Sequence, residues 1–236
     1  MKRLHKAGRI SFVRFALYVN LMAALSLSMS ACTNVERSRD VGNPNVSAEV
    51  TAKQVCSTCH GMTGNAASPN FPRLAGQQAA YLEEQLKNFR DGQRTDKEGQ
   101  QYMWGLSRKM SDEQIKALAE YFAKQTPELN VTERTSSLAE GKTIFESGIP
   151  EKGVPACMAC HGPNGEGIAA FPRLAGQHQN YVARQMKVFK ENDGRPGTSM
   201  EQVAVKLDAG EISAVAAYVQ SLPQSNVVAG AGVSAQ

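Results

Sequence analysis

Along this chain apolar side chains recur at spacings of three and four, and hardly anywhere do they alternate. Leu82, Leu86 and Phe89 mark one face of a helix over about residues 78–90. Ile115, Leu118 and Phe122 mark a second, opening at Ser111, where Gln114 three residues on completes a capping-box pattern. A counterpart opens at Asp208 with Glu211 in the same relation. In each half an earlier helix runs up to a pair of closely spaced cysteines. No stretch holds a two-residue period long enough for a sheet, so the pattern predicts an all-α fold.

These elements are written twice. Cys56-Ser57-Thr58-Cys59-His60-Gly61 returns as Cys157-Met158-Ala159-Cys160-His161-Gly162, an offset of 101 residues. Phe71-Pro72-Arg73-Leu74-Ala75-Gly76-Gln77 returns letter for letter at 171–177, and Tyr81, Gln85, Lys87 and Phe89 recur at 181, 185, 187 and 189. Such self-similarity over most of the chain means two copies of one structural unit. We divide it into a leader (1–31), a tether (32–47), a first domain (48–127), a linker (128–137), a second domain (138–223) and a tail (224–236). Each domain is small and loop-rich, so its apolar core alone would be thin, and a large buried cofactor would mend that deficit.

Charge narrows the function. The formal net charge is +4, but residues 1–31 carry five basic side chains and no acids. Residues 48–130 hold 10 basic and 10 acidic side chains, and residues 131–236 hold 9 and 10. A nucleic-acid-binding face has no support in that balance. The basic start, the apolar run from Phe15 to Leu27 and the small residues after it have the layout of a secretory signal. Met29-Ser30-Ala31-Cys32 resembles a lipobox with Met in place of the usual Leu, which makes Cys32 the candidate for acylation and membrane attachment. Ordinary cleavage nearby, or an uncleaved anchor, are the alternatives. All three place the rest of the chain outside the cytoplasm.

The chemistry lies in Cys-x-x-Cys-His. Two cysteines one helical turn apart can form thioethers to both vinyl groups of one porphyrin, and the adjacent imidazole then stands over the iron. A thioredoxin-like pair does not require that histidine and sits in a strand–helix context absent here. A zinc site would need ligands pooled from both clusters or from His5 and His178. Two such motifs in a duplicated unit behind an export signal point to two covalent haem c groups, through Cys56, Cys59 and His60 and through Cys157, Cys160 and His161. A sixth ligand must come from the opposite face. Met103 lies in the loop eight residues before Ser111, and Met200 eight before Asp208, a shared register that selects this pair. Met110 is the runner-up in the first half. Met186, at the position of Leu86, reads as core.

With these motifs the chain resembles the cytochrome c4 family, two-domain dihaem bacterial electron carriers, from about Val50 to Leu222. The resemblance implies two tandem cytochrome c-like domains, with His60–Met103 and His161–Met200 as axial pairs. It implies that Pro72 and Pro172 accept the proximal histidines' ring N–H, and that Arg73 and Arg173 stand near the haem propionates. It further implies a periplasm-side carrier between respiratory complexes, with a quinol–cytochrome c reductase as donor and a terminal oxidase as acceptor. A peroxidase-like dihaem enzyme needs one iron open to substrate, and a fixed haem subunit of a dehydrogenase or oxidase would copurify with its partner. His178, where the first half has Gln78, is expected at the surface.

Overall fold

A computed structural model describes residues 39–128, 137–195 and 197–223. The expected leader, the lipobox-like segment with Cys32, most of the linker, and the tail lie outside the described residues. Among the described residues the regular structure is helical, apart from one isolated bridge between Ile149 and Val154.

The first domain opens with α1 (Ala48–Thr51), capped by Ser47, whose side chain accepts from the Val50 N–H. A π-helical turn (Ala52–Cys56) carries the chain into α2 (Ser57–His60). Gly61 then stops the helix at φ +78°, and a Cβ there would stand 2.7 Å from the Asn65 carbonyl oxygen. After a long loop come α3 (Ala79–Arg90), α4 (Lys97–Ser107) and α5 (Asp112–Ala123). The apolar stripes of α3 and α5 meet. Leu82, Ile115, Leu118 and Phe122 are buried with Ala52 and Met110 in one cluster, and Leu86 packs on its edge. Each such leucine or isoleucine withdrawn from water contributes about 1.5–3 kcal/mol.

The second domain repeats the plan with α6 (Ser137–Ser147), a 3₁₀ turn (Pro150–Lys152), α7 (Met158–His161), α8 (Gln179–Lys190), α9 (Ser199–Ala204) and α10 (Ala209–Ser221). Helices α6 and α10 cross at Gly141, where a side chain would collide with the Ala214 backbone. Ile144, Phe145, Ile212, Val215 and Val219 form the core at this crossing, with Met186 from α8.

Both expected capping boxes form, Ser111 with Gln114 and Asp208 with Glu211. One expectation about the helices fails. Met103 does not lie in a loop but inside α4, and Met200 inside α9. Three of the four apolar residues of α4 stand side by side, Tyr102-Met103-Trp104, only Leu106 adds a helical spacing, and Gly99 and Gly105 dilute its helix propensity. Its start is nonetheless capped, because the Asp96 carboxylate accepts from the Gly99 N–H at 3.2 Å.

The two domains meet through reciprocal contacts. Gln177 pairs with the Arg73 backbone and Gln77 with the Arg173 backbone, each contact the image of the other. That is the self-complementary pattern of a two-fold interface, here produced within one chain by duplication.

Candidate haem sites

In the first domain the helical turn carries Cys56, packed against the first core, and half-buried Cys59, and His60 at its end is buried. The loop that faces it is pinned at Gly64, whose carbonyl accepts from the N–H groups of Leu74 and Ala75 at 2.7 and 3.1 Å. That pinning delivers the Pro72 carbonyl to the imidazole, with Nδ1 of His60 2.9 Å from the Pro72 oxygen. The second domain reproduces the site. Leu74 and Ala75 are replaced by Leu174 and Ala175, bonded to Gly165 at 2.7 and 2.9 Å. Nδ1 of His161 lies 2.9 Å from the Pro172 oxygen. In both sites Nδ1 donates to a carbonyl, which leaves Nε2 as the ring's free lone pair. This is the tautomer that coordination of a metal through Nε2 requires.

Electrostatics agree with that tautomer. Burial pushes the pKa of His60 and His161 down, with the proline carbonyls opposing it, so both rings favour the neutral form that can bind iron. Burial also pushes the thiols of Cys56 and Cys157 up to about 11. Such thiols are poor redox nucleophiles, and all four motif cysteines are free rather than disulfide-bonded. Among the described residues no three His, Cys, Asp or Glu side chains converge as a bare metal site would need. Apolar surface surrounds the histidines instead. Phe71 sets its edge against His60 at 6.2 Å, and Phe171 does so against His161 at 6.1 Å. Met62, Tyr102, Ile168 and Phe171 remain exposed on the polypeptide alone. Paired thiols, a neutral imidazole with Nε2 available and an uncovered apolar surface fit a thioether-linked macrocycle better than an ion.

The methionines sort by burial. Met110 belongs to the first core and Met186 to the second, both over nine-tenths buried, so each serves as packing. Met103 and Met200 are half-buried, Met200 at the edge of the second core. Tyr102, next to Met103, packs edge-on against Phe71, and Phe71 against His60. That aromatic chain brings α4 to the histidine site.

The arginines occupy the domain boundary. Arg173 is buried, and its guanidinium donates to the carbonyls of Ala75 and Ala175. Arg73 reaches the Glu128 carbonyl at 3.4 Å and lies beside His178. His178 corrects the sequence expectation, because it is buried rather than at the surface, with Nε2 2.7 Å from the Ala66 carbonyl of the other domain. A one-domain reading of the repeat had no means of finding a surface that exists only once the halves meet. The same applies to Gln77, Gln177, Arg94 and Arg195, all buried at that boundary and assigned no role from sequence. Their recurrence in both halves was the available signal.

Comparison with known proteins bears on both domains. The cytochrome c family profile matches residues 48–126 and again 138–223. Cytochrome c4 of Pseudomonas aeruginosa is 41% identical, over 71% of this chain and 84% of its own. A protein of Thiomonas intermedia named thiosulfate dehydrogenase electron acceptor is 36% identical, over 72% of this chain and 79% of its own. The solved structure of Acidithiobacillus ferrooxidans cytochrome c4 superposes with a TM-score of 0.66 at 42% identity, covering 71% of this chain and 98% of that one. The chain therefore belongs to the cytochrome c family as a dihaem, all-α c-type cytochrome of the cytochrome c4 kind, an electron carrier rather than an enzyme, with two covalently attached haem c groups.

Proposed function

We propose that this protein is a periplasm-side carrier, tethered through acylated Cys32, that passes single electrons from a quinol–cytochrome c reductase to a terminal oxidase. Its irons are ligated by His60 with Met103 and by His161 with Met200. Cys56, Cys59, Cys157 and Cys160 hold the two macrocycles. The observation that carries the reading is the pair of matched histidines, each with Nδ1 on a proline carbonyl and Nε2 left for iron.

When bound, each haem supplies a one-electron couple, and thioether ligation favours its reduced state. The chain's own residues do the rest. Pro72 and Pro172 fix the rotation of the two imidazoles, so little rearrangement accompanies electron transfer. The glycine-pinned loops hold those carbonyls in place. Met103 and Met200 sit on capped helices, which limits their loss and the opening of a coordination position. A carrier needs both features, whereas a peroxidase needs one position free. Near-neutral domains suit brief docking with redox partners.

The test is reconstitution. The holoprotein should be reduced by quinol in the presence of reductase-containing membranes and reoxidised by oxidase-containing ones, without peroxide turnover. The Cys32→Ser variant should appear in the soluble fraction. A variant that still sediments with membranes would remove the lipid tether from this reading.

A second reading is favoured by the relative named for accepting electrons from thiosulfate dehydrogenase. In it the chain is the dedicated acceptor of a dehydrogenase. Stoichiometric copurification with that enzyme separates it from the free carrier.

A further inference from the structure

His60 and Gln177 belong to different domains, yet one peptide group joins them. Nδ1 of His60 donates to the carbonyl of Pro72 at 2.9 Å. The other end of that same peptide is the N–H of Arg73, which donates to Oε1 of Gln177 at 2.8 Å. Gln177 closes the contact by donating Nε2 to the Arg73 carbonyl at 3.0 Å. The mirror image is complete. His161 donates to Pro172 at 2.9 Å, Arg173 N–H donates to Oε1 of Gln77 at 2.6 Å, and Gln77 donates to the Arg173 carbonyl at 3.0 Å. Both glutamines are buried.

We propose that Gln77 and Gln177 are positioning residues that tune the proximal histidine of the opposite domain, so that each iron's potential depends on docking of the other half. The proposal rests on His60 and His161 being the iron ligands. A peptide whose N–H is engaged becomes a better acceptor at its carbonyl, because hydrogen bonds in a chain polarise one another. A better acceptor draws the Nδ1 proton further from the imidazole and makes Nε2 a stronger donor to iron. Stronger donation favours the ferric state and lowers the potential. The glutamine of one domain therefore holds down the potential of the iron in the other, and separation of the domains would raise both.

A glutamine that only held the interface together would give a different pattern, and two substitutions tell them apart. Gln177→Leu keeps the bulk and removes the acceptor. Gln177→Glu keeps and strengthens the acceptor for the Arg73 N–H while giving up the N–H donated to the Arg73 carbonyl. Both are made in the full-length holoprotein, with each midpoint potential followed by redox titration. The haems are assigned by nuclear magnetic resonance from methyl contacts to Cys56 and Cys59 or to Cys157 and Cys160. We expect Gln177→Leu to raise the midpoint of the first domain's haem more than that of its own. Gln177→Glu should return it to the wild-type value or below. Gln77→Leu should raise the second domain's haem, and poses the same test if the Gln177 variant fails to mature. Shifts of the same sign in Gln177→Leu and Gln177→Glu, shifts confined to the substituted domain's own haem, or no shift at all would overturn the proposal. The wild-type spectrum tests histidine–methionine ligation separately, so failure of that assignment is distinguishable.

Discussion

Arg94 of the first domain and Arg195 of the second share the same two acceptors. Oε1 of Gln85 takes an N–H from Arg94 at 2.9 Å and from Arg195 at 2.8 Å, and Oε1 of Gln185 takes them at 3.0 and 2.6 Å. Phe89 and Phe189 stack on the two guanidiniums at 4.4 and 4.6 Å. Among the described residues one carboxylate answers these two buried cations, Asp96, bonded to Nε of Arg94 at 2.6 Å. At the same repeat offset the second domain has Gly197.

The stability of the domain boundary should therefore hinge on Asp96. Leaving a buried guanidinium without its carboxylate costs about 3–5 kcal/mol, and Asp96→Ala also removes the α4 cap, worth about 0.5–2 kcal/mol. Asp96→Asn keeps a capping oxygen and so isolates the charge. Denaturant unfolding of the holoprotein should show a loss of several kcal/mol for both, larger for alanine. An asparagine variant as stable as wild type would mean that the charge at this position is immaterial.

Acid should loosen the same boundary through His178. Burial lowers its pKa below the ordinary 6.5, with the Ala66 carbonyl opposing and the charge of Arg73 adding to the depression. The unfolded chain thus takes up this proton before the folded one does. The stabilisation is complete above 6.5 and is lost as pH falls through the lower folded value. His178→Gln, which copies Gln78 of the first domain, should flatten the fall in melting temperature between pH ~7.5 and ~5. Equal slopes for variant and wild type would exclude this histidine as the cause.

Ligand substitutions should separate the methionines. Met103→Ala and Met200→Ala should each lower the potential of one haem and let its ferrous iron take up carbon monoxide. Met110→Leu should do neither, because Met110 is 5% exposed within the first core, and a volume-conserving swap there costs under about 1.5 kcal/mol. Carbon monoxide uptake by Met110→Leu would reverse the assignment in the first domain.

The crossing of α6 and α10 offers a purely structural check. Because the Gly141 Cα faces the Ala214 backbone without room for a methyl group, Gly141→Ala should cost about 1–3 kcal/mol by overpacking. The cost should appear in unfolding of the second domain, with the spectra of both haems unchanged.

Much of this molecule is legible in its amino-acid sequence. The three- and four-residue periods of α3 and α5 and the capping boxes at Ser111 and Asp208 survive unchanged, because local pattern and local hydrogen bonding point the same way there. Helix α9 could have been found from the spacing of Thr198 and Glu201, whose carboxylate accepts from the Thr198 N–H at 3.1 Å. Helix α4 was hidden because three of its four apolar residues are adjacent and two glycines interrupt it. The boundary was hidden for another reason. His178, Arg94, Arg195, Gln77 and Gln177 are polar residues that read as solvated in a single domain, and only the other copy of the repeat buries and bonds them.

The most direct test of the whole account is the optical spectrum of the mature holoprotein, with haem quantitation and carbon monoxide added to the reduced form. Two haems per chain, a weak long-wavelength iron–methionine band in the oxidised protein and no uptake of carbon monoxide are predicted. Carbon monoxide binding to either haem of the wild-type protein would contradict it, since that iron would then have an open position and the chain would not be a saturated two-centre carrier.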